Sequence, residues 1–252
     1  MKPFFGSGEN FAMDWRGMKV WIDREQAIDM RLYATGDYEP ETLTVLAKLA
    51  TPNSVVIDIG ANIGLVSMWL SQCVGTEGKV IAVEPSRWAC DCIERNLQLS
   101  GISNVDVVHA AASDSTGVAE LDVINGYRID NLDTRKSERV SFVTVDEIIR
   151  DKNIDSISVL KIDTDGFEMG VFRGAHNTLS NLKPALVFEY GPDHLRKHSG
   201  VEPEFLISFL NEYDYEIYGE DLKPLDVKDL RLGENQTTNL VALHRETSTM
   251  PI

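Results

Sequence analysis

Short apolar runs, rich in Val and Ile, recur along most of the chain and alternate with longer segments of mixed polarity. Each run contains five or six residues, which is the usual length of a strand and is short for a buried helix. Uninterrupted apolar runs are typical of parallel strands that are buried on both faces. The sequence predicts five such core strands, at residues 55–59, 79–83, 104–109, 157–162 and 185–189.

The segments between these strands show helical periodicity. Ser86 is a favoured residue before a helix, and Gly101 is a favoured residue after one. Strands that alternate with helices indicate an α/β fold, in which a mostly parallel sheet carries helices on both faces. Two further strands, at 215–218 and 239–244, are predicted to add an antiparallel edge. Helices are predicted at residues 63–73, 86–100, 168–182 and 203–211.

The first fifty residues do not continue this alternation. Residues 14–23 have the pattern of a hairpin, and residues 40–50 have the pattern of an amphipathic helix. We therefore expect an N-terminal extension or cap, residues 1–50, ahead of a main domain that spans residues 51–252.

A polar segment, residues 125–138, lies between two stretches that alternate as half-exposed strands do, 118–123 and 139–145. Segments of this length without regular structure are often lids or binding loops, so this one is a candidate substrate lid. Arg128 and Arg135 within it could recognise an anionic acceptor. A solvated surface excursion explains the composition equally well.

Composition and charge narrow the class of protein. The chain has 252 residues, of which 43% are hydrophobic, and its formal net charge is −16, which disfavours nucleic acid as a partner. No apolar run approaches the ~20 residues of a membrane span, and the N-terminus lacks the apolar core of a signal peptide. A soluble cytoplasmic enzyme with no membrane partner is expected. Phe4, Phe5 and Phe11 could form an arm that packs on a second subunit in a homodimer.

The most informative motif joins a strand, a glycine turn and a helix. Residues 55–64 read VVIDIGANIG, and a second strand ends in Glu84. Glycine permits tight turns and close backbone approach, and the first N–H groups of a helix attract an anion. An acid at the tip of the second strand can accept hydrogen bonds from both ribose hydroxyls. The unit predicts a nucleoside site whose residues are Asp58, Gly60, Asn62, Gly64, Glu84 and Ser86, with the backbone near Ala111 at the base.

The acid before the glycines discriminates between nucleoside cofactors. A dinucleotide site would read G-x-G-x-x-G, but here the third glycine is missing and Asp58 stands where pyrophosphate would pass. A carboxylate repels phosphate and suits the ammonium and sulfonium groups of S-adenosylmethionine, which is the predicted cofactor. Tyr38, Glu39 and Thr42 could reach its amino-acid end, although a packing helix explains them as well. The alternatives are a non-catalytic module that binds S-adenosylmethionine and a NAD-dependent oxidoreductase.

A second acidic motif begins at the end of a predicted core strand. Residues 161–168 read KIDTDGFE, and Asp163 is its candidate functional acid. Asp165 and Glu168 also have ordinary explanations, as part of a tight turn and as an acid favoured by the helix dipole.

Ligands of open α/β sheets bind beyond the carboxyl ends of the strands. This rule places Asp58, Glu84, Asp163 and Glu189 along one rim. The repulsion between these acids has to be offset by Lys161, by a bound cation, by the sulfonium or by helix N–H groups.

Attack of a protonated nucleophile on S-adenosylmethionine would require a group that takes up the proton. The candidate catalytic residues are Asp163, Glu189 and His194. His194 and His198 are four residues apart, which would suit two metal ligands on one helical face, but a solvated helix is the simpler explanation. A divalent ion held by Asp163, Glu189 and an acceptor diol is a separate alternative. No metal site is predicted.

The order of these motifs resembles that of the FkbM-type methyltransferases. The motifs are DIGANIG (58–64), EP (84–85), AASDSTG (111–117), TVDEI (144–148), KIDTDGFE (161–168), RGA (173–175) and FE (188–189). The resemblance covers roughly residues 35–245, and the combination of DxGANxG with KIDxxGxE is fairly specific to the family. One departure is Asp165, where the family more often has glutamate.

The resemblance implies a class I, Rossmann-like methyltransferase fold. It implies transfer of a methyl group from S-adenosylmethionine to oxygen, often on a sugar or a polyketide-type natural product. The expected partner is therefore a small-molecule or glycan acceptor. The residues carried over by position are Asp58, Gly60, Asn62 and Gly64 for the cofactor loop, Glu84 for the ribose, and Asp163 for the junction of cofactor and acceptor.

Overall fold

The structure, a computed structural model, describes residues 9–129 and 134–247. Strands and helices alternate through most of this range. The strands are β1 (Phe11–Trp15), β2 (Met18–Ile22), β3 (Val55–Ile59), β4 (Lys79–Glu84), β5 (Val105–His109), β6 (Ala111–Ala112), β7 (Gly117–Ile124), β8 (Arg135–Val143), β9 (Val159–Ile162), β10 (Ala185–Tyr190), β11 (Tyr215–Tyr218) and β12 (Thr238–His244). The helices are α1 (Ala27–Thr35), α2 (Pro40–Leu49), α3 (Leu65–Val74), α4 (Arg87–Ser100), α5 (Val145–Asp151), α6 (Glu168–Arg173), α7 (Pro192–His194) and α8 (Pro203–Glu212).

Seven of the strands form the central sheet, in the order β5-β4-β3-β9-β10-β12-β11. The five strands from β5 to β10 are parallel, and β12 is antiparallel to both of its neighbours. The chain first builds the sheet outward from β3 to β5 and then returns to add β9 on the other side of β3. This switch in strand order marks the place where ligands of such sheets bind. The predicted α/β class and the antiparallel edge are confirmed.

The N-terminal segment packs on α4 and shares its core with the main sheet. β1 and β2 form the predicted hairpin, which turns at Arg16 and Gly17, both with positive φ. The backbone N–H of Trp21 donates to Asn96 Oδ1 of α4 at 2.9 Å. The buried side chains of Val20 and other hairpin residues belong to the same apolar cluster as those of α3 and β3. The predicted helix at residues 40–50 is α2, whereas α1 was not predicted.

Two further expectations concern assembly and membranes. Phe4 and Phe5, two members of the candidate arm, lie outside the described residues. Phe11 packs within the protein, with its ring centroid 5.2 Å from that of Tyr33.

No helix in the described part of the chain is both long enough and apolar enough to cross a bilayer.

A second, three-stranded sheet is formed by β6, β8 and β7. β8 begins at Arg135, so residues 135–138, which were predicted to belong to the polar loop, are part of a strand. Opposite charges across the hairpin, such as Glu120 opposite Arg139, favour the extended pairing. The connecting loop is therefore shorter than predicted, and its residues 130–133 lie outside the described part of the chain.

The predicted helix at residues 168–182 is divided. α6 ends at Arg173, and the next residue, Gly174, packs so closely on the Ser113 carbonyl that a Cβ there would overlap it. The chain then continues to a π-helical turn at Thr178–Leu182. α5 was not predicted, although Thr144 and Glu147 form a capping box at its start.

Candidate active site

A cleft of about 1140 Å³ opens at the carboxyl ends of β3, β4, β9 and β10. Ligand pockets commonly measure about 300–1,000 Å³, so this cleft has room for two ligands side by side. The predicted site residues that line it are Gly60, Asn62, Glu84, Ser86, Ala111, Asp163 and Glu189. The predicted site residues that do not line it are Asp58, Gly64 and His194.

Glu84 is fixed at the tip of β4 by two backbone N–H groups. Asn62 N donates to Oε2 and Ser86 N donates to Oε1, each at 2.9 Å. Burial raises the pKa of Glu84 to about 7, against the effect of these two hydrogen bonds. Each carboxylate oxygen can accept a second hydrogen bond, so the group can still receive two hydroxyls.

Ser86 is the predicted N-cap residue of α4. Its Oγ accepts a hydrogen bond from Ala89 N at 3.3 Å and donates to Asn125 Oδ1 at 2.7 Å. The side chain is buried and fully used by these two contacts. Its contribution to the cleft is therefore the position of its backbone beside Glu84.

The two glycines of the turn are required by contacts within the protein. At Gly60, with φ 77°, a Cβ would overlap the carbonyl oxygen of Asp163. At Gly64, with φ 87°, a Cβ would lie 3.1 Å from the Ile93 side chain. The expectation that both make room for a ligand therefore needs correction, because strand β9 and helix α4 occupy that space. Gly60 still lines the cleft through its backbone.

Lys161 separates a buried acid from one that faces the cleft. Its Nζ lies 3.1 Å from Asp163 Oδ2 and 3.8 Å from Asp58 Oδ1. Asp58 is fully buried and accepts a hydrogen bond from Ser67 Oγ at 2.5 Å. Burial alone would lower the pKa of Lys161, but the carboxylates of Asp163 and Asp58 outweigh it and raise that pKa.

Asp58 was predicted to contact the donor, but its buried side chain does not reach the cleft. The side chain points to Ser67 on α3, behind the wall of the cleft. A core strand is buried on both faces, so its apolar pattern does not indicate to which side an acid points. Burial raises the pKa of Asp58, and Lys161 opposes that shift. Asp58 is therefore connected to the cleft only indirectly, because Lys161 lies between it and Asp163.

Two residues before α2 line the cleft. Glu39 has φ 41°, which is a strained conformation for a residue other than glycine. Its Oε2 is shielded from solvent and has no hydrogen-bond partner among the described residues. Tyr38 lines the cleft beside it, near Lys161. Thr42, the third candidate, is instead buried between Glu220 and Asn239, at 2.7 and 2.9 Å.

Two carboxylates, those of Asp165 and Glu189, line the far end of the cleft, and the imidazole of His194, which does not line it, lies beside Glu189. Glu189 Oε2 lies 3.9 Å from His194 Nδ1. Burial, followed by the charge of Asp163, raises the pKa of Glu189 to about 8. Asp165 has φ 51° and accepts a hydrogen bond from Tyr127 OH at 3.4 Å.

Glu168 and His198 have structural roles in the same region. Glu168 is fully buried, and its Oε1 accepts hydrogen bonds from Thr164 N, Thr164 Oγ1 and Gly166 N at 3.0–3.1 Å. His198 Nδ1 lies 2.6 Å from the Asp165 carbonyl oxygen. Its ring is stacked on that of His194, with an interplanar angle of 7°. Parallel rings do not direct nitrogens at a common point, so the two histidines do not form the considered metal pair.

Three basic residues that line the cleft were missed in the sequence. They are Arg31 on α1, Arg173 on α6 and Lys197 after α7. Because they lie on separate elements, no local motif connects them. In the described part of the chain these three side chains form no ion pair. Arg128, a predicted acceptor contact, instead pairs with Glu25 at 2.6 Å, whereas Arg135 lines the cleft.

Comparisons with known proteins agree with this geometry. The central sheet and its cleft define a class I S-adenosylmethionine-dependent methyltransferase. A family model for the methyltransferase FkbM domain matches residues 58–217, and the chain belongs to that family. It is also similar to the hexuronic acid methyltransferase AglP of Haloferax volcanii, with 23% identity over 176 residues, 69% of this chain and 68% of that one.

Two solved structures share the fold at low sequence identity. One is SMU.1697c, a putative methyltransferase from Streptococcus mutans in complex with SAH, with 12% identity and a TM-score of 0.50. The match covers 80% of this chain and 94% of that one. The other is a putative rRNA-methylase from Clostridium thermocellum, with 12% identity, a TM-score of 0.50, and coverage of 81% and 93%. At this identity the likeness concerns the fold alone.

Proposed function

We propose that the protein transfers the methyl group of S-adenosylmethionine to a hydroxyl oxygen of a sugar or glycan. The observation that carries the proposal is the Glu84 carboxylate, which two backbone N–H groups hold at the edge of a cleft large enough for donor and acceptor. Bound S-adenosylmethionine would supply an electrophilic methyl group and a neutral thioether as leaving group. A polyketide-type hydroxyl is the less favoured acceptor, because AglP, a relative by sequence, is a hexuronic acid methyltransferase.

Donor binding would use groups that already face the cleft. Glu84 would accept hydrogen bonds from the ribose hydroxyls, and the backbone near Ala111 would lie at the base. The unpartnered Oε2 of Glu39 suits the ammonium group at the amino-acid end. Asp163, which Lys161 holds in place, would stand between donor and acceptor.

The proposed base is Glu189, whose Oε2 lies 3.9 Å from His194 Nδ1. As the acceptor oxygen forms its bond to the methyl carbon, the carbon–sulfur bond breaks and its electron pair stays on sulfur. The hydroxyl proton passes to the Glu189 carboxylate. A pKa of about 8 makes that carboxylate a stronger base than an ordinary glutamate. Asp163 is the weaker candidate because Lys161 pairs with it at 3.1 Å.

An acidic sugar fits the charges of the cleft best. The protein carries a net charge of −16, yet Arg31, Arg173 and Lys197 line this one cavity without ion pairs among the described residues. Such side chains would hold an acceptor carboxylate, whereas the acids at the far end would receive a hydroxyl and repel that carboxylate. A uronic acid offers both groups in one ring.

The test combines binding with turnover. Calorimetry should give micromolar binding of S-adenosylhomocysteine and none of NAD. Labelled S-adenosylmethionine should then methylate oligosaccharides that contain uronic acid faster than neutral ones, and the product should survive mild alkali, as an ether does and an ester does not. Arg173→Gln should raise KM for the acidic acceptor, while His176→Gln on the surface should not. Binding of NAD alone would overturn the proposal.

A non-catalytic module would behave differently. It would bind S-adenosylhomocysteine, but Glu189→Gln would leave all methylation of glycans from the producing cells unchanged. That result would replace the proposed activity with a binding function.

A further inference from the structure

We propose that Asp165, Glu189 and His194 form a binding site for one divalent transition-metal ion of the Mn²⁺ type at the acceptor end of the cleft. The three residues present ligand atoms that all lie within 4.8 Å of one another. Asp165 follows β9, Glu189 lies near the end of β10, and His194 ends α7. This inference rests on the proposed function, because it assumes that the acceptor is a hydroxyl of a sugar or glycan.

The first observation is a pair of buried ligand atoms without partners. Glu189 Oε2 and His194 Nδ1 are shielded from solvent, and neither has a hydrogen-bond partner among the described residues. Buried polar atoms of this kind nearly always have one. Their separation of 3.9 Å is too long for a hydrogen bond. Two ligands of a single ion with bonds of ~2.1 Å lie ~3–4.2 Å apart, which accommodates this distance.

The second observation is uncompensated negative charge. The carboxylates of Asp165 and Glu189 present oxygens within 4.8 Å of each other, and Asp163 lines the same cleft, so that like charges repel one another there. Lys161, the buried cation nearby, is already shared between Asp163 and Asp58. A dication between Glu189 and Asp165 would reverse this repulsion and stabilise both carboxylates in their charged form.

The third observation is that the two loops are fixed to each other. A Cβ at Gly166 would lie 2.5 Å from the carbonyl oxygen of His194, so the backbones are in close contact. His198 Nδ1 lies 2.6 Å from the Asp165 carbonyl oxygen, and Ser199 Oγ donates to the Gly166 carbonyl. The stacked ring of His198 also orients His194. Metal ligands need this kind of support from neighbouring groups.

The ligand set indicates the class of ion. One imidazole and two carboxylates suit Mn²⁺ or Zn²⁺ better than Mg²⁺ or Ca²⁺, which favour oxygen alone. Three protein ligands leave positions open for water and for acceptor oxygens. A hydroxyl bound there becomes more acidic, and its proton would then leave to water at the open end of the cleft. With the ion bound, Glu189 is a ligand and the proton goes to water, so this inference replaces the role of base given to Glu189 above, while the donor, the acceptor and the methyl transfer stay as proposed.

Metal binding can be measured without any acceptor. Chelator-treated full-length protein, saturated with S-adenosylhomocysteine, is titrated with Mn²⁺ and followed by electron paramagnetic resonance and calorimetry. One ion per chain is expected, and Zn²⁺ should displace it. His194→Gln and Glu189→Gln should each weaken Mn²⁺ binding at least tenfold. His176→Gln and Asp193→Asn, which change a distant histidine and a neighbouring exposed acid, should bind as the unmodified protein does.

The outcomes separate this inference from the proposed function. Failure to bind Mn²⁺ or Zn²⁺, or equal binding by the His194 variant and its His176 control, would overturn the metal site. Full methyl transfer after chelation would also overturn it, while leaving the methyltransferase proposal intact. Loss of S-adenosylhomocysteine binding in the unmodified protein would instead count against the proposed function.

Discussion

Asp58 and Lys161 are register partners on the neighbouring parallel strands β3 and β9, and Lys161 Nζ lies 3.8 Å from Asp58 Oδ1. Both side chains are almost completely removed from solvent. A charge pair in such a place is costly to desolvate, but removal of one partner is costlier, because it leaves the other charge buried and uncompensated. The pair therefore connects the stability of the sheet to the position of Asp163.

Lys161→Met should destabilise the protein by about 3–5 kcal/mol, as expected when one member of a buried pair is lost. Urea unfolding followed by circular dichroism measures the change. The double variant Asp58→Asn/Lys161→Met removes both buried charges and should recover part of that loss, because Asp163 still lacks its cation. A single variant as stable as the unmodified protein would show that the pair is not coupled in this way.

Gly60→Ala should cost at least about 3 kcal/mol, because left-handed strain is added to overlap with the Asp163 carbonyl. The matched control is Gly101→Ala. Gly101 has φ 65° with nothing within 4 Å of its Cβ position, so the strain alone should cost about 1 kcal/mol. Thermal unfolding compares the two variants. Equal losses would mean that the close approach to β9 is unimportant.

Affinity for S-adenosylhomocysteine should depend on the protonation of Glu84. Its pKa is about 7 in the free protein, and the charged carboxylate accepts hydrogen bonds from ribose hydroxyls more strongly than the neutral acid does. Binding should therefore be constant above about pH 8 and should fall below pH 7, approaching tenfold per pH unit. Glu84→Gln should bind more weakly with a flat profile over the same range. Calorimetry from pH 5.5 to 8.5 gives both profiles, and equal slopes would assign the titration to another group, such as Asp58.

Glu39→Gln should weaken S-adenosylhomocysteine binding about tenfold or more, because a charged hydrogen bond to the ammonium group is lost. 5′-Methylthioadenosine lacks the amino-acid end and should bind both forms equally. Competition titrations measure the two affinities. If both ligands lose affinity alike, Glu39 supports the fold of the cleft and does not contact the donor.

The alternation of strands and helices could be predicted from the sequence because it depends on the hydrophobic pattern and the capping residues of each short segment. Short Val- and Ile-rich runs gave the five parallel strands, and Ser86 and Gly101 marked the ends of α4 correctly. The position of Glu84 at the cleft also followed, because carboxyl ends of parallel strands share one edge of a sheet. The capping box of Thr144 and Glu147 was equally local and would have revealed α5.

Other features depend on contacts between distant segments. The side chain of Asp58 is held by Ser67 of α3 and by Lys161, and Gly174 after α6 packs against the Ser113 carbonyl. Arg31 and Lys197 line the same cavity although they are far apart in the sequence. A single sequence contains no periodic signal for any of these relationships, since each is decided by tertiary packing.

The hairpin of β7 and β8 contributes Leu121, Val123 and Phe142 to the wall of the cleft. Neither of these two strands carries Glu84, Ala111, Lys161 or Glu189. Substitutions on that wall can therefore change the shape of the proposed acceptor site without changing the residues proposed to bind the donor. For protein engineers, this hairpin is the natural place to begin a search for altered substrate preference.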